Sequence, residues 1–156
     1  MKKLLITILV LFAVTSSAQD VGSYMEMLRS DIKTEKVAYI TEVMQFTEDE
    51  STAFWPIHRE YQFKLDEIAD KYLGNIKSYG ENYGSLSDEM ASELIKTGFD
   101  LKKDRLNLQK DYFKKFSKAL SPVKAARWVQ LENQLGLLLE LQMVSAVPFA
   151  AKPFGQ

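Results

Sequence analysis

The chain has 156 residues, one histidine, no cysteine and a formal net charge of −1 at pH 7. The lack of cysteine excludes disulfides and a lipid-anchoring cysteine, so the hydrophobic core alone has to hold the fold together. A mildly acidic total disfavours nucleic acid as a partner.

The amino-terminal residues have the pattern of a secretory signal peptide. Two lysines precede an unbroken apolar run, 4–14, and a small-residue stretch that ends in Ala18. The run is shorter than the ~20 residues that a membrane-spanning helix needs, so we expect cleavage rather than stable membrane insertion. The sequence therefore predicts a signal peptide over residues 1–18, export to the periplasm and a mature chain of about one domain.

The first predicted helix covers roughly Asp31 to Met44. Its inner side consists of apolar residues at helical spacing, Ile32, Tyr39, Ile40 and Val43. The pattern leaves open whether the helix begins earlier, at the apolar residues Tyr24, Met25 and Leu28.

The second predicted helix begins in the stretch FTEDE, residues 46–50. The Thr47 hydroxyl can cap the helix while Glu50, three residues later, reaches back to the cap, a capping box. Beyond it, one apolar face continues over about seven turns in steps of three and four: Phe54, Ile57, His58, Tyr61, Leu65, Ile68, Tyr72, Ile76 and Tyr79. Pro56 lies inside this helix, where it removes one backbone hydrogen bond and predicts a kink.

The third predicted helix runs from near Ser87 to about Ala119 and carries two apolar stripes. Leu94, Leu108, Tyr112, Phe116 and Ala119 lie within about 60° of Leu101, while Ile95, Phe99, Leu106, Phe113 and Leu120 lie about 100° to 160° away. Both stripes cannot face one neighbour, so this helix should pack on two partners or leave an apolar strip open.

The fourth predicted helix is announced by LSPVK, residues 120–124, in which Ser121 is the cap and Pro122 the first helical residue. It continues to about Val144, and its second half is apolar on nearly every side, which favours a helix surrounded by protein. The domain boundaries are thus 19–144 for one helical domain and 145–156 for a disordered tail.

Helices of about 30 residues are about 45 Å long, whereas a compact globule of this size is roughly 37 Å across. We therefore expect an all-α, elongated arrangement of two long and two shorter amphipathic helices. Such a thin molecule cannot bury both stripes of the third helix, so the sequence also predicts a homodimer.

The two motifs FTEDE and LSPVK each begin a helix on either side of the long helices, in a chain with a predicted signal peptide and no cysteine. This arrangement resembles the Spy/CpxP-type periplasmic stress proteins, whose paired LTxxQ motifs have such positions, and FWPIHREYQ resembles a branch with an aromatic-Trp-Pro sequence after the first motif. Glu50 and Lys124 stand where both motifs of that family have Gln.

The resemblance implies a cradle-like antiparallel homodimer that binds unfolded or partly folded envelope proteins without ATP, as part of an envelope stress response. Some members of that family instead restrain an envelope stress sensor, and others bind zinc, so a regulatory adaptor and a zinc-buffering protein are the alternatives.

The candidate client-binding residues lie on the third and fourth helices. Lys103, Lys110, Lys114 and Lys118 are spaced 7, 4 and 4 apart, which aligns them beside the second apolar stripe. Apolar contact together with attraction to acidic segments would let one surface hold many different clients. The proposed surface contains these four lysines with Phe99, Leu106, Phe113 and Trp128, and the alternative interpretation is a solvated lysine face over an ordinary core stripe.

The remaining residues give no indication of catalysis or of a cofactor. Acidic residues occur in runs that suit helix starts and i,i+4 pairs, and no motif for nucleophilic or phosphate chemistry is present. Zinc usually takes several His or Cys ligands, and His58 is the only such residue. We interpret His58 as a packed structural side chain, with a metal ligand shared across a dimer axis as the weaker alternative.

Overall fold

The computed structural model describes residues 35–146, and the side chains of residues 35–141. Within these residues the chain forms four helices and no strand, which confirms the all-α prediction: α1 over residues 35–44, α2 Glu48–Asn82, α3 Asp88–Ala119 and α4 Pro122–Ala146. A short 3-10 turn, Tyr83–Ser85, separates α2 from α3. The predicted signal peptide and the last ten residues lie outside this part of the chain.

Side-chain caps begin the three long helices. Thr47 N donates to Glu50 Oε2 at 2.9 Å and Glu50 N donates to the Thr47 hydroxyl at 3.3 Å, the reciprocal bonds of a capping box. Ser87 accepts from the backbone N–H of Met90 at the start of α3, and Ser121 accepts from that of Lys124 at the start of α4. These oxygens satisfy N–H groups that have no partner within their own helix.

The last residues of FTEDE and LSPVK meet, although 74 positions separate them. Lys124 Nζ forms an ion pair with Glu50 Oε2, and this contact ties the start of α4 to the start of α2. The hydrogen bond from Lys124, together with that from the Thr47 backbone, lowers the pKa of Glu50. The two charged residues therefore complement each other at the junction.

Contacts between side chains set the helices antiparallel. Lys115 bonds Glu60 at 3.0 Å and Asn75 bonds the Leu94 carbonyl at 3.1 Å, so α3 runs back along α2. α4 runs back along α3, with Lys102 bonded to Glu140 at 3.0 Å and Gln109 to Asn133 at 2.9 Å. α2 has 35 residues and is about 52 Å long, and it continues as one helix through Pro56.

The core lies at one end of these helices, where α1 joins the other three. Its fully buried side chains come from all four helices: Ile40, Met44, Phe54, Tyr61, Tyr112, Phe116, Ala125, Trp128 and Leu131. On α2 only Phe54, His58 and Tyr61 are buried. The predicted inner face beyond Tyr61 is only half-buried, because α1, as described, covers α2 no further than this level. Within the described residues no helix is long and apolar enough to cross a membrane.

Candidate protein-binding surface

Large apolar side chains are exposed on the outer faces of α3 and α4. On α3, Ile95, Phe99 and Leu106 are 62%, 69% and 49% exposed, and on α4, Leu137 and Leu141 are each 67% exposed. We call these five residues the outer apolar surface. Soluble monomers rarely expose contiguous apolar patches of large size, so such a group indicates an interaction site.

The register of the two helices places these residues at similar levels. Because Lys102 bonds Glu140 and Gln109 bonds Asn133, Leu106 and Leu137 lie at neighbouring levels of the antiparallel pair. Leu137 is about 180° from the buried Trp128 around α4, and Phe99 about 160° from the buried Leu101 around α3. Phe99 and Leu137 thus face away from the core on adjacent helices, whereas Leu106 also lines a groove between α2, α3 and α4.

The four predicted lysines lie on the same helix as the α3 part of this surface, and the row extends beyond it towards the end of α3. Lys103, Lys110, Lys114 and Lys118 are all exposed, and they lie about 180° to 260° from Leu101 around α3. Lys114 pairs with Asp111 at 3.0 Å, whereas the other three make no ion pair with any residue in the described part of the chain. Their charges are therefore available to an acidic partner. Lys103 lies at the level of Phe99 and Leu106, whereas Lys118 lies about 18 Å beyond Leu106 along the helix.

Two of the predicted surface residues belong to the core instead. Trp128 is 0% exposed, with its ring centroid 4.4 Å from that of Phe116 and 4.9 Å from that of Tyr61. Placing it on a client-binding surface was wrong, because the face of α4 that carries Trp128 is the one that meets α2 and α3. Phe113 is half-buried and packs against the core, so it can contribute less than a fully exposed ring.

Part of the exposed surface on α4 was not predicted. The leucine-rich second half of α4 predicted a helix surrounded by protein, but Leu137, Leu138 and Leu141 are 67%, 59% and 67% exposed. The apolar arc of α4 is too wide for the neighbouring helices to cover. Its outermost side chains therefore stay in contact with solvent. The excess of leucine in this half of α4 is visible in the sequence, but no neighbouring helix of the described residues covers all of these side chains.

A buried polar cluster joins α1, α2 and α4 behind this surface. Lys36 Nζ lies 2.7 Å from Glu132 Oε1 and donates to Gln62 Oε1 at 2.9 Å, while the Tyr61 hydroxyl donates to Glu132 Oε2 at 3.2 Å. Burial opposes ionisation of Glu132, but the neighbouring His58 and the charge of Lys36 outweigh it and lower the pKa of this carboxyl. Burial, together with the charge of Glu132, raises the pKa of Tyr61.

His58 belongs to this cluster and not to an open cleft. It is 4% exposed, its ring is stacked on Phe54 at a centroid distance of 5.2 Å, and Nε2 lies 3.9 Å from Glu132 Oε1. The residues that the structure describes contain no group of three or more His, Cys, Asp or Glu side chains that could hold a metal ion. The geometry around His58 is that of a packed side chain beside a buried carboxylate.

Comparisons with models of known protein families, with curated proteins and with solved structures found no match. The likeness of FTEDE and LSPVK to paired family motifs therefore stays a prediction. The geometry of α3 and α4 is the basis for a functional proposal.

Proposed function

We propose that this protein is a periplasmic, ATP-independent chaperone-like protein that binds unfolded or partly folded envelope proteins. The observation that carries the proposal is the outer apolar surface together with the row of exposed lysines on the same helix, α3. Unfolded chains expose apolar side chains, and burying such area against Phe99, Leu137 and their neighbours is worth roughly 25 cal/mol per Å² before the costs of association.

The composition of the surface favours many weak clients over one tight partner. Apolar contact has no directional requirement, and lysine is a flexible, hydrated point charge that makes few fixed demands on a partner. Charge attraction mainly raises the rate of encounter and adds less to affinity. Binding should therefore be fast, weak and sensitive to salt.

The same exposed leucines and phenylalanine support a homodimer. A second copy placed against part of the outer apolar surface would remove that part from water. The rest of the surface and the lysines of α3 would stay open to clients. Light scattering after size-exclusion chromatography measures the mass directly. A monomer at tens of micromolar would contradict the dimer and would leave the client-binding proposal standing.

Charge reversal tests the proposed surface. The variant Lys110→Glu, Lys114→Glu, Lys118→Glu should lose most of its ability to suppress aggregation of an unrelated unfolded client at near-stoichiometric ratio, because the attraction becomes repulsion. The salt dependence of client binding should weaken as well.

A matched control makes the same change of net charge elsewhere. Arg59, Lys71 and Lys77, all on α2, are also exposed, and their replacement by Glu should leave the suppression intact. Equal effects of the two triple variants would refute the surface assignment, since net charge alone would then explain the loss.

Capture from an envelope extract distinguishes the proposed activity from a regulatory adaptor. Many weakly retained unfolded proteins are expected, and retention should fall in the Lys110, Lys114 and Lys118 variant. Retention of a single folded sensor domain, with no effect on client aggregation, would refute the chaperone-like function and favour the adaptor.

A further inference from the structure

The groove between α2, α3 and α4 has the size and lining of a small-molecule site. Its volume is about 360 Å³. At the roughly 30 Å³ that one water molecule takes up in the liquid, this is room for about twelve heavy atoms. Leucine, isoleucine, alanine and tyrosine side chains form most of the wall, among them Ile68, Ala69, Tyr72 and Leu135. Ligand sites are commonly of this kind, an apolar cleft with a few polar groups.

The charges of the groove leave one cation without a partner. Six charged side chains line it, three of each sign. Five of them have partners within the protein: Lys36 with Glu132, Lys102 with Glu140, and Asp66 with Gln62. The sixth is Arg105, which makes no ion pair or hydrogen bond with any other residue in the described part of the chain. The groove therefore carries one positive charge that an anion can neutralise.

The backbone of α4 provides a place for this arginine. A Cβ added to Gly136 would lie 3.0 Å from Arg105 Cζ and 3.3 Å from Nη1, and it would overlap Nη2. The half-buried guanidinium thus occupies space that any other residue at position 136 would fill. Glycine weakens a helix interior relative to alanine. The glycine in α4 therefore holds the charge against the groove at some cost to the helix.

An arginine beside an apolar groove selects a particular chemistry. The planar guanidinium presents parallel N–H donors that fit a carboxylate or a phosphate, and such charge-assisted hydrogen bonds are the strong ones. The apolar wall gains from covering a hydrocarbon chain, which has no polar groups to leave unpaired. A molecule with one anionic head and one alkyl chain satisfies both parts of the groove.

We propose that the groove binds one medium-chain fatty acid, whose carboxylate pairs with Arg105 and whose alkyl chain lies against Ile68, Tyr72 and Leu135. Room for about twelve heavy atoms corresponds to about ten carbons and the two carboxylate oxygens. Carbons beyond this length stay in water and add little affinity. The site goes beyond the proposed function and does not depend on it, because client binding is assigned to the outer apolar surface and the lysines of α3.

Calorimetry with sodium decanoate below its micellar concentration tests the site in the predicted mature chain. One molecule per chain should bind. Decyltrimethylammonium has the same alkyl chain and a cationic head, and it should bind at least about tenfold more weakly. Equal affinities of the two, or binding that does not saturate, would overturn the proposal. Tighter binding of decyl phosphate than of decanoate would overturn the assignment to a fatty acid and favour a phosphate amphiphile.

Two substitutions separate the head and the tail of the site. Arg105→Gln should weaken decanoate binding about ten- to a hundredfold and abolish the preference over the cationic amphiphile. Ala69→Trp should fill the groove and abolish the binding of both amphiphiles. The control Phe63→Ala removes a ring that is 67% exposed and does not line the groove, so it should change neither affinity. Unchanged decanoate binding in Arg105→Gln, or equal losses in Ala69→Trp and Phe63→Ala, would refute the site.

Discussion

Replacing Lys36 by Met removes one partner of a buried ion pair. The Lys36 side chain and Glu132 are 7% and 2% exposed, and their charged atoms are 2.7 Å apart. Methionine retains most of the apolar volume of the lysine stem, so the substitution mainly deletes the charge. Glu132 is then left in the interior beside the Tyr61 hydroxyl and His58, without its closest cation.

The expected cost is large. Breaking a buried pair by removing one partner costs about 3–5 kcal/mol, because the remaining charge stays desolvated. A domain of this size has a free energy of unfolding of about 5–15 kcal/mol, so Lys36→Met should remove a third of it or more. Glu132→Leu should cost a similar amount. The double variant should recover most of the loss, because replacing a whole buried pair by apolar residues is often neutral or stabilising.

Denaturant unfolding of the three variants measures this coupling. Trp128 is fully buried in the adjacent core and its fluorescence can report the transition, with helix circular dichroism as a second probe. If the two single losses simply add in the double variant, the pair contributes no mutual stabilisation and the reasoning is refuted.

The pH dependence gives an independent check on the same pair. Glu132 has a lowered pKa in the folded protein, so its contribution is present above the usual value of 4.5 and is lost as the pH falls below it. In Lys36→Met one of the two groups that lower the pKa of Glu132 is absent, while His58 remains, so the acid-induced loss of stability should shrink. An unchanged acid profile in that variant would contradict the assignment.

Four further substitutions test the contacts of single residues. Phe116→Ala, at a fully buried ring, should cost about 3–5 kcal/mol, whereas Phe99→Ala, at a ring 69% exposed, should change the free energy of unfolding by less than about 0.5 kcal/mol; similar costs would contradict the division into core and surface. Gly74→Ala should stabilise α2 by about 0.5–1 kcal/mol, since its new Cβ meets nothing within 4 Å, and a destabilised variant would refute this. The hydrogen bond from Lys115 lowers the pKa of Glu60 to about 2, so the wild-type protein should exceed Glu60→Gln in stability at neutral pH and lose that advantage as the pH falls from 4.5 to about 2. A difference between the two proteins that does not change with pH would argue against the pairing.

Much of the fold could be predicted because its signals are local. Thr47, Ser87 and Ser121 begin helices through bonds to residues only three positions away, and an oxygen side chain at such a spacing stabilises a helix start whatever the rest of the molecule does. The spacing of Lys103 to Lys118 likewise fixed their common face. These features are set by helix geometry alone.

The candidate surface was predicted only in part, since burial depends on neighbours far away in the chain. Phe99 and Trp128 are both large aromatics on apolar stripes, yet one is 69% and the other 0% exposed. Periodicity gives the direction of each side chain around its own helix and does not tell which direction meets another helix. The pattern therefore could not separate the core stripe of α4 from its exposed leucines.

The sequence by itself determined the helical class, the helix starts and the row of lysines, because each depends on contacts within one or two turns. Only the tertiary structure decided that Trp128 is core, that Leu137 and Leu141 are surface, and that Glu50 pairs with Lys124 across 74 positions. Such outcomes depend on which helix faces pack together, and that choice comes from the summed burial of all the helices at once.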